Sequence, residues 1–435
     1  MNDELVGTWS RTTADVELFA YEATWLRSPR ARPLSLTLPF LPGNAVHRGA
    51  HVTAWFENLL PDSSDIRARI ARRFGITNTA RNLLAEIGRD CVGAVQILPF
   101  GETPVETETL EVDPLTSADV ARTLRGVTND MVLTRDDAHH EAFRVSMAGA
   151  QEKTALLRLD GRWYRPRGAT PTTHILKLPL GLVGNMRYDL EHSIANEWLC
   201  LHLLEALGFD VAKTEMATFS DSISSERVLV VERFDRQWRD DLSGLIRLPQ
   251  EDLCQATGTE PDRKYESDGG PGIGQIIQLL RGSLAPKDDV QTFVLAQLAV
   301  WLLAAIDGHA KNFSLFLRRD GYLLTPLYDV LSAWPIIGHA PNRLPIQRAR
   351  LAMAVRCKNR HYEMQRIATR HWKCLAQLSQ VPFGEMERLV ERVPTAIERV
   401  SAILPADFPD GIWTMISDGL RANVERFWRG VGSLD

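Results

Sequence analysis

The chain has 435 residues, of which 44% are hydrophobic and 24% charged, with 50 Lys and Arg against 55 Asp and Glu for a net charge of −5. That length is too great for one comfortable core and leads us to expect two or three domains. The composition excludes a disordered, collagenous or coiled-coil chain, and the acidic balance leaves only local patches for nucleic-acid contact.

In chain order, residues 1–110 read as an N-terminal subdomain. It opens on short strand-like runs such as VELFAYEATWL and continues through a helical segment from Val52 past Arg67, Arg69, Arg72 and Arg73. The apolar run VGAVQILPF reads as a buried strand closing this subdomain. GETPVETETLEVDP is acidic and poor in large apolar residues, so residues 111–142 are expected to hold the end of a linker and a helix. Residues 143–240 look β-rich. TALLRL, the turn Asp160-Gly161 and RWYRP signal a hairpin, HILKLP a strand, and SERVLVVERFD an interior strand. Between them DLEHSIANEWLCLHLLEALG predicts a long helix stopped by Gly208. Residues 241–435 are expected to be mostly helical. There DDVQTFVLAQLAVWLLAAIDG is apolar nearly all round, as a helix at the centre of a lobe would be, and NFSLFL and GYLL follow as two short strands.

The five cysteines, Cys91, Cys200, Cys254, Cys357 and Cys374, are odd in number and far apart, so neither a disulfide framework nor a zinc site is expected. The N-terminus lacks a basic region followed by an apolar one. The most apolar stretch, Phe293 to Ile306, falls short of the ~20 residues a membrane span needs. These features predict a reduced, cytoplasmic protein with no membrane partner.

The strongest local signal for chemistry is AAIDGHAKNFSLFL. Asp307 follows the buried helix and Asn312 lies five positions on, a spacing that phosphoryl-transfer loops use. The aspartate would take the proton of an attacking hydroxyl and the asparagine would ligate magnesium, a hard cation content with few protein oxygens. Asp329, ending the LTPLYD strand, would be a second magnesium ligand. The plainer alternative is that Asp307 and Asp329 cap a turn and a helix. Lys177 sits inside HILKLP, where an ammonium is costly unless it meets an anion such as phosphate; an edge-strand lysine reaching for water is the alternative. SMAGAQEKTALL sets the small residues Ala148, Gly149 and Ala150 before a strand, as a phosphate loop or a plain turn. Glu232-Arg233-Phe234 ends an apolar strand, as a hinge at an adenine or a simple strand exit. Taken in order, these pieces follow a kinase fold. Separately, residues 341–373 carry nine Lys and Arg against the single acid Glu363, which suits either a solvated face or a phosphate backbone.

With these residues in hand, the chain resembles the HipA family of bacterial toxin kinases over nearly its whole length. FENLLPDS, LLAEIGRD, SMAGAQEKTALL, VERFDRQW, KYESDGGPGI and DGHAKNFS carry the likeness. It implies an α+β, two-lobed kinase-like fold related to phosphoinositide kinases, with an extra β-rich N-terminal subdomain and a mostly helical C-lobe. It implies ATP and Mg2+ as cofactors, Asp307 as catalytic base, and Asn312 and Asp329 as metal ligands. The ATP site would comprise Ala148, Gly149, Ala150, Gln151, Glu152 and Lys153, then Lys177, Glu232, Arg233 and Phe234, and His309, Lys311, Asn312, Tyr328 and Asp329. Ser146 matches a serine that such kinases phosphorylate on themselves. The partners implied are a helix-turn-helix antitoxin, operator DNA, and glutamyl-tRNA synthetase as substrate. Gln377 and Gln380 stand where basic residues facing DNA are expected. A small-molecule kinase and a non-catalytic corepressor are the rival functions.

Overall fold

The computed structural model describes residues 1–102, 110–128, 148–149, 151–184, 187–240 and 244–431. Ser146, Ala150 and part of the expected linker lie outside them. The chain forms two compact units, neither continuous in sequence. The first contains Met1–Leu178, Glu215–Asp262 and Ser314–Tyr322, the second Pro179–Thr214, Arg263–Phe313 and Leu323–Asp435.

The first unit holds two cores. The strands Gly7–Arg11, Glu17–Tyr21 and His47–Arg48 form an antiparallel sheet. Behind it, Trp25, Trp55, Phe56, Leu60, Leu83, Leu84 and Ile87 pack from that sheet's neighbours and the helices Ala50–Glu57 and Ala80–Ile87. The expected helical segment is two helices, because Pro61 and the N-cap Ser63, whose side chain accepts from the Ile66 N–H, restart the chain at Ser64–Phe74. VGAVQILPF is not a strand. Its backbone is irregular, and Phe100 is 97% exposed.

The second core lies on a six-stranded sheet. Its order is Thr214–Ser220, Ser225–Glu232, His174–Lys177, Lys153–Leu159, Arg162–Pro166 and Val112–Leu115. The hairpin turn forms as expected, with φ of +48° at Asp160 and +75° at Gly161, the paired positive angles that a tight two-residue turn demands. Val112–Leu115, expected at the end of a linker, is an edge strand instead. Ser117–Thr128 covers the sheet, setting Val120, Ala121, Leu124 and Val127 against Leu156, Leu176 and Val230. Alternation along the strands and 3.6-residue spacing along the helix put these apolar sets face to face.

Glu251, on the short strand Gln250–Asp252, is fully buried, and its Oε1 accepts the Leu36 N–H at 2.9 Å. Burial pushes its pKa from 4.5 up to about 8. A raised carboxyl holds an extra proton in the folded state across that window, so its contribution to stability falls as pH rises through it. Glu251→Gln is therefore expected to flatten the decline of the urea midpoint between about pH 5 and about pH 8; an unchanged slope would assign that decline to other groups.

In the second unit the helix Pro286–Leu302 is buried on nearly every face, as its composition predicts. The helices Ile273–Leu280, Thr369–Ser379, Phe383–Ser401 and Asp410–Val431 pack on it, and Ser193–Ala206 packs on the last two. Trp301 packs on Trp372 with ring centroids 5.8 Å apart, and the Asn423 amide donates to the Trp301 carbonyl at 2.9 Å. One expectation is corrected here. Cys357, in the turn of the hairpin Arg350–Arg356/Arg360–Glu363, and Cys374, on the helix Thr369–Ser379, form a disulfide with Cα atoms 5.5 Å apart. A separation of 17 residues hides the pairing from any spacing rule. The expectation of a reduced compartment thereby loses one premise. Closing such a loop is worth about 3 kcal/mol in the chain-entropy account. Cys357→Ser should lower the unfolding free energy of the oxidised protein by about that much and leave the dithiothreitol-treated protein unchanged. Cys91, Cys200 and Cys254 are free and buried. Among the described residues no helix is long and apolar enough to cross a membrane.

Candidate active site

The second unit builds the acidic part of the site. Its central helix ends at Leu302, and the chain reverses through Ala304 at φ +51°, with the Ala305 N–H donating to the Val300 carbonyl. This left-handed exit, held by a non-glycine residue, is a strained conformation of the kind found at functional turns. It carries the chain outward so that the Asp307 side chain stands 65% exposed at the surface. His309, Lys311 and Asn312, by contrast, are buried. Asn312 ties the loop together. Its Nδ2 donates to the Asp307 carbonyl at 3.3 Å and to the Asp329 carbonyl at 3.0 Å. With its nitrogen used twice, Asn312 offers its amide oxygen as the ligating atom.

Asp329 adopts φ +57°, a second left-handed non-glycine residue. The segment around it is braced from both sides. The Tyr328 hydroxyl donates to the Lys311 carbonyl at 2.8 Å, so Tyr328 holds the loop together. Ser332 donates its hydroxyl to the Leu303 carbonyl at 2.6 Å and its N–H to the Asn196 Oδ1 at 2.8 Å. Asp307, Asn312 and Asp329, spread over 23 positions of the sequence, are thus drawn into one loop cluster. The amide oxygen of Asn312 and the carboxylate of Asp329 are hard donors that suit magnesium. Among the described residues no three His, Cys, Asp or Glu side chains gather as a metal site.

The first unit holds the remaining expected residues. Lys177 is 6% exposed and lies on an interior strand, paired with Leu229 on one side and Lys153 on the other. The edge-strand alternative is excluded. In the 148–153 segment the Asp62 N–H donates to the Gly149 carbonyl at 3.0 Å, and Gln151 Nε2 donates to the Leu178 carbonyl at 2.5 Å. Glu152 pairs with Arg69, and the Lys153 ammonium donates to the Ala148 carbonyl. Gly149 and Glu152 are thereby anchored to the N-terminal subdomain.

Arg233 has its side chain committed within the fold, which leaves only its backbone for the expected hinge. Its guanidinium is buried and bonds Asp90, Asp235, Thr172 and the Cys91 carbonyl, so its side chain is committed away from any ligand. Arg236 and Arg247 join the same network through Asp90 Oδ1, at 2.8 and 3.1 Å. Three guanidinium groups hold the Asp90 carboxyl well below the usual range. With three cations to two carboxylates, Arg236 is pulled down to about 10, by burial first and by Arg233 next. The network fixes the strand exit from which Glu232 and Phe234 project. Phe234 meets Phe316 edge-on, with centroids 5.8 Å apart. LLAEIGRD and VERFDRQW carry the family likeness, but nothing local in them announces a shared ion cluster.

Of the nine cations at 341–373, Arg360 pairs with Glu266, Arg366 with Glu363, Arg350 lies 5.2 Å over the Tyr362 ring, and Arg343 donates to the Pro335 carbonyl. Arg348, Arg356, Lys358, Arg370 and Lys373 are exposed, as are Gln377 and Gln380.

Comparison with known proteins adds the following. Residues 145–401 match the model of the HipA-like C-terminal domain, and residues 1–98 that of the HipA N-terminal domain. The chain is 35% identical over 319 residues to the kinase-named protein Y4mE of Sinorhizobium fredii, 72% of this chain and 71% of that one. It is 26% identical over 423 residues to the serine/threonine-protein kinase toxin HipA of Shewanella oneidensis, 93% of this chain and 89% of that one. The fold matches a chain from the Shewanella oneidensis MR-1 complex of HipA, HipB and operator DNA with a TM-score of 0.80 at 23% identity, covering 99% of this chain and 97% of that one.

Proposed function

Because the chain belongs to the HipA family of kinases, we propose that it transfers the γ-phosphate of ATP to a serine of a protein acceptor, as the toxin of a toxin–antitoxin module. The observation that carries this reading is the loop cluster in which Asn312 joins the Asp307 loop to Asp329.

In this reading Asp307 accepts the proton of the attacking serine hydroxyl. Asn312 and Asp329 would hold magnesium, which would supply neutralisation of charge on the phosphate oxygens. Lys177, whose burial makes an anionic partner favourable, sits against the phosphates. Backbone groups of the 148–153 segment approach them as well, and Phe234 packs on the adenine near Glu232. Since phosphoryl transfer demands little covalent work from the protein, positioning and charge neutralisation supply most of the acceleration. His309, Lys311 and Tyr328 shape the loop, and magnesium and ATP are the cofactors.

The acceptor is glutamyl-tRNA synthetase on family likeness, with inhibition of translation and growth arrest as the consequence. Self-phosphorylation at Ser146 switches the enzyme off, because roughly −1.5 to −2 added charges would repel a nucleotide's phosphates. A helix-turn-helix antitoxin is the neutralising partner, and operator DNA is bound through that complex. The exposed cations Arg348, Arg356, Lys358, Arg370 and Lys373 are groups available for phosphate contact. The test is γ-labelled ATP with purified protein, magnesium and glutamyl-tRNA synthetase. Label on a serine of the synthetase supports the assignment; label on other proteins of a bacterial extract but not on the synthetase would keep the kinase and replace the substrate.

A further inference from the structure

The motif KYESDGGPGI places Tyr265 at the mouth of the Asp307 loop, and its hydroxyl donates a hydrogen bond to Asp307 Oδ1. The ring packs edge-on against His309, with centroids 5.2 Å apart and planes at 84°. His309 Nε2 lies 3.9 Å from Asp307 Oδ2, the other carboxylate oxygen. An exposed aspartate on a surface loop would otherwise sample several rotamers. Here one oxygen is held by Tyr265 and the other faces His309.

The turn that carries Tyr265 is built to stay in place. The Tyr265 carbonyl accepts the N–H groups of Asp268 and Gly270, at 3.0 and 2.9 Å. A Cβ at Gly270 would stand 2.2 Å from the Arg263 carbonyl oxygen, so only glycine fits there. Glu266, the next residue, accepts the Ala354 N–H at 2.6 Å and lies 3.4 Å from the Arg360 guanidinium. The motif's glycines therefore close a turn anchored to the hairpin Arg350–Arg356/Arg360–Glu363, and that turn presents one hydroxyl to the reacting carboxylate.

We propose that Tyr265 is a positioning residue for phosphoryl transfer, fixing the Asp307 carboxylate in the orientation from which it receives the acceptor's proton. This rests on the reading of Asp307 as base. Tyr265→Phe keeps the ring and its packing on His309 while removing only the hydroxyl. At saturating Mg-ATP it should lower kcat by about tenfold to a hundredfold, the scale of a misplaced catalytic group. The KM for ATP and the melting temperature should stay unchanged. In the background of Asp307→Asn, adding Tyr265→Phe should cost nothing further, because the hydroxyl acts only through that carboxylate. A kcat unchanged or raised in Tyr265→Phe, with transfer still lost in Asp307→Asn, would overturn this inference alone; a raised kcat would make the tyrosine hydroxyl a competitor for the acceptor's place. Losses that add in the double variant would also overturn it. Transfer unaffected by Asp307→Asn would instead remove the reading of the base.

Discussion

Asp90→Ala is expected to lower the unfolding free energy by about 3–5 kcal/mol, the cost of leaving buried charge without its partner. Asp90 is 5% exposed, and its two oxygens receive Arg233 at 3.1 Å, Arg236 at 2.8 Å, Arg247 at 3.1 Å, and both the N–H and the hydroxyl of Thr172. Removing it would leave three enclosed guanidinium groups with Asp235 as their remaining carboxylate in the cluster. Asp90→Asn, which retains oxygen for Thr172 but no charge, should fall between wild type and Asp90→Ala. The pH dependence has a definite sign. A carboxyl depressed by folding contributes stability above its unfolded value of 3.8 and loses it as pH falls towards the lower folded value. Urea denaturation at neutral pH and in acid reads both effects. A loss below about 1 kcal/mol at neutral pH would mean that the network is no better than a surface pair.

The second large effect is on rate. Asp307→Asn should reduce phosphoryl transfer by about 10²–10⁴-fold, the usual contribution of a placed general base. The carboxylate is 65% exposed, so the substitution should leave the melting temperature and ATP binding close to wild type. Intact folding with lost transfer separates the base from a turn-capping residue, whose removal would act on stability and leave the rate in place.

The elements that place this site were largely legible in the sequence where local chemistry decides them. Asp160-Gly161 demands a tight turn, the all-round apolar helix at 286–302 can only be central, and the loop after it must reach the surface. The misses share a physical cause, since each is decided by groups far away in the chain. VGAVQILPF has the composition of a strand, yet the Gly93 N–H goes to Asp235 Oδ2 at 2.7 Å and the Ile97 N–H to the Gly88 carbonyl, so tertiary partners replace a ladder. Nothing in VERFDRQW announces that the Arg233 side chain meets Asp90, 143 positions earlier. Tyr265 lies 42 positions from Asp307, and no periodicity relates a tyrosine in a glycine-rich turn to an aspartate beyond a helix. Cys357 and Cys374 meet because a hairpin turn packs on a helix. Spacing rules see neighbours in sequence, whereas these contacts belong to the folded chain.

The central claim, a magnesium-dependent protein-serine kinase with Asp307 as its base, is tested most directly by a single labelling measurement. Wild-type protein and Asp307→Asn would each be incubated with γ-labelled ATP, magnesium and a bacterial extract, and acid-stable phosphoserine would be located by mass spectrometry. We expect label on protein serines, Ser146 among them, with wild type alone and only when magnesium is present. Label that persists undiminished in Asp307→Asn, or ATP bound by wild type without any phosphoserine formed, would contradict the account.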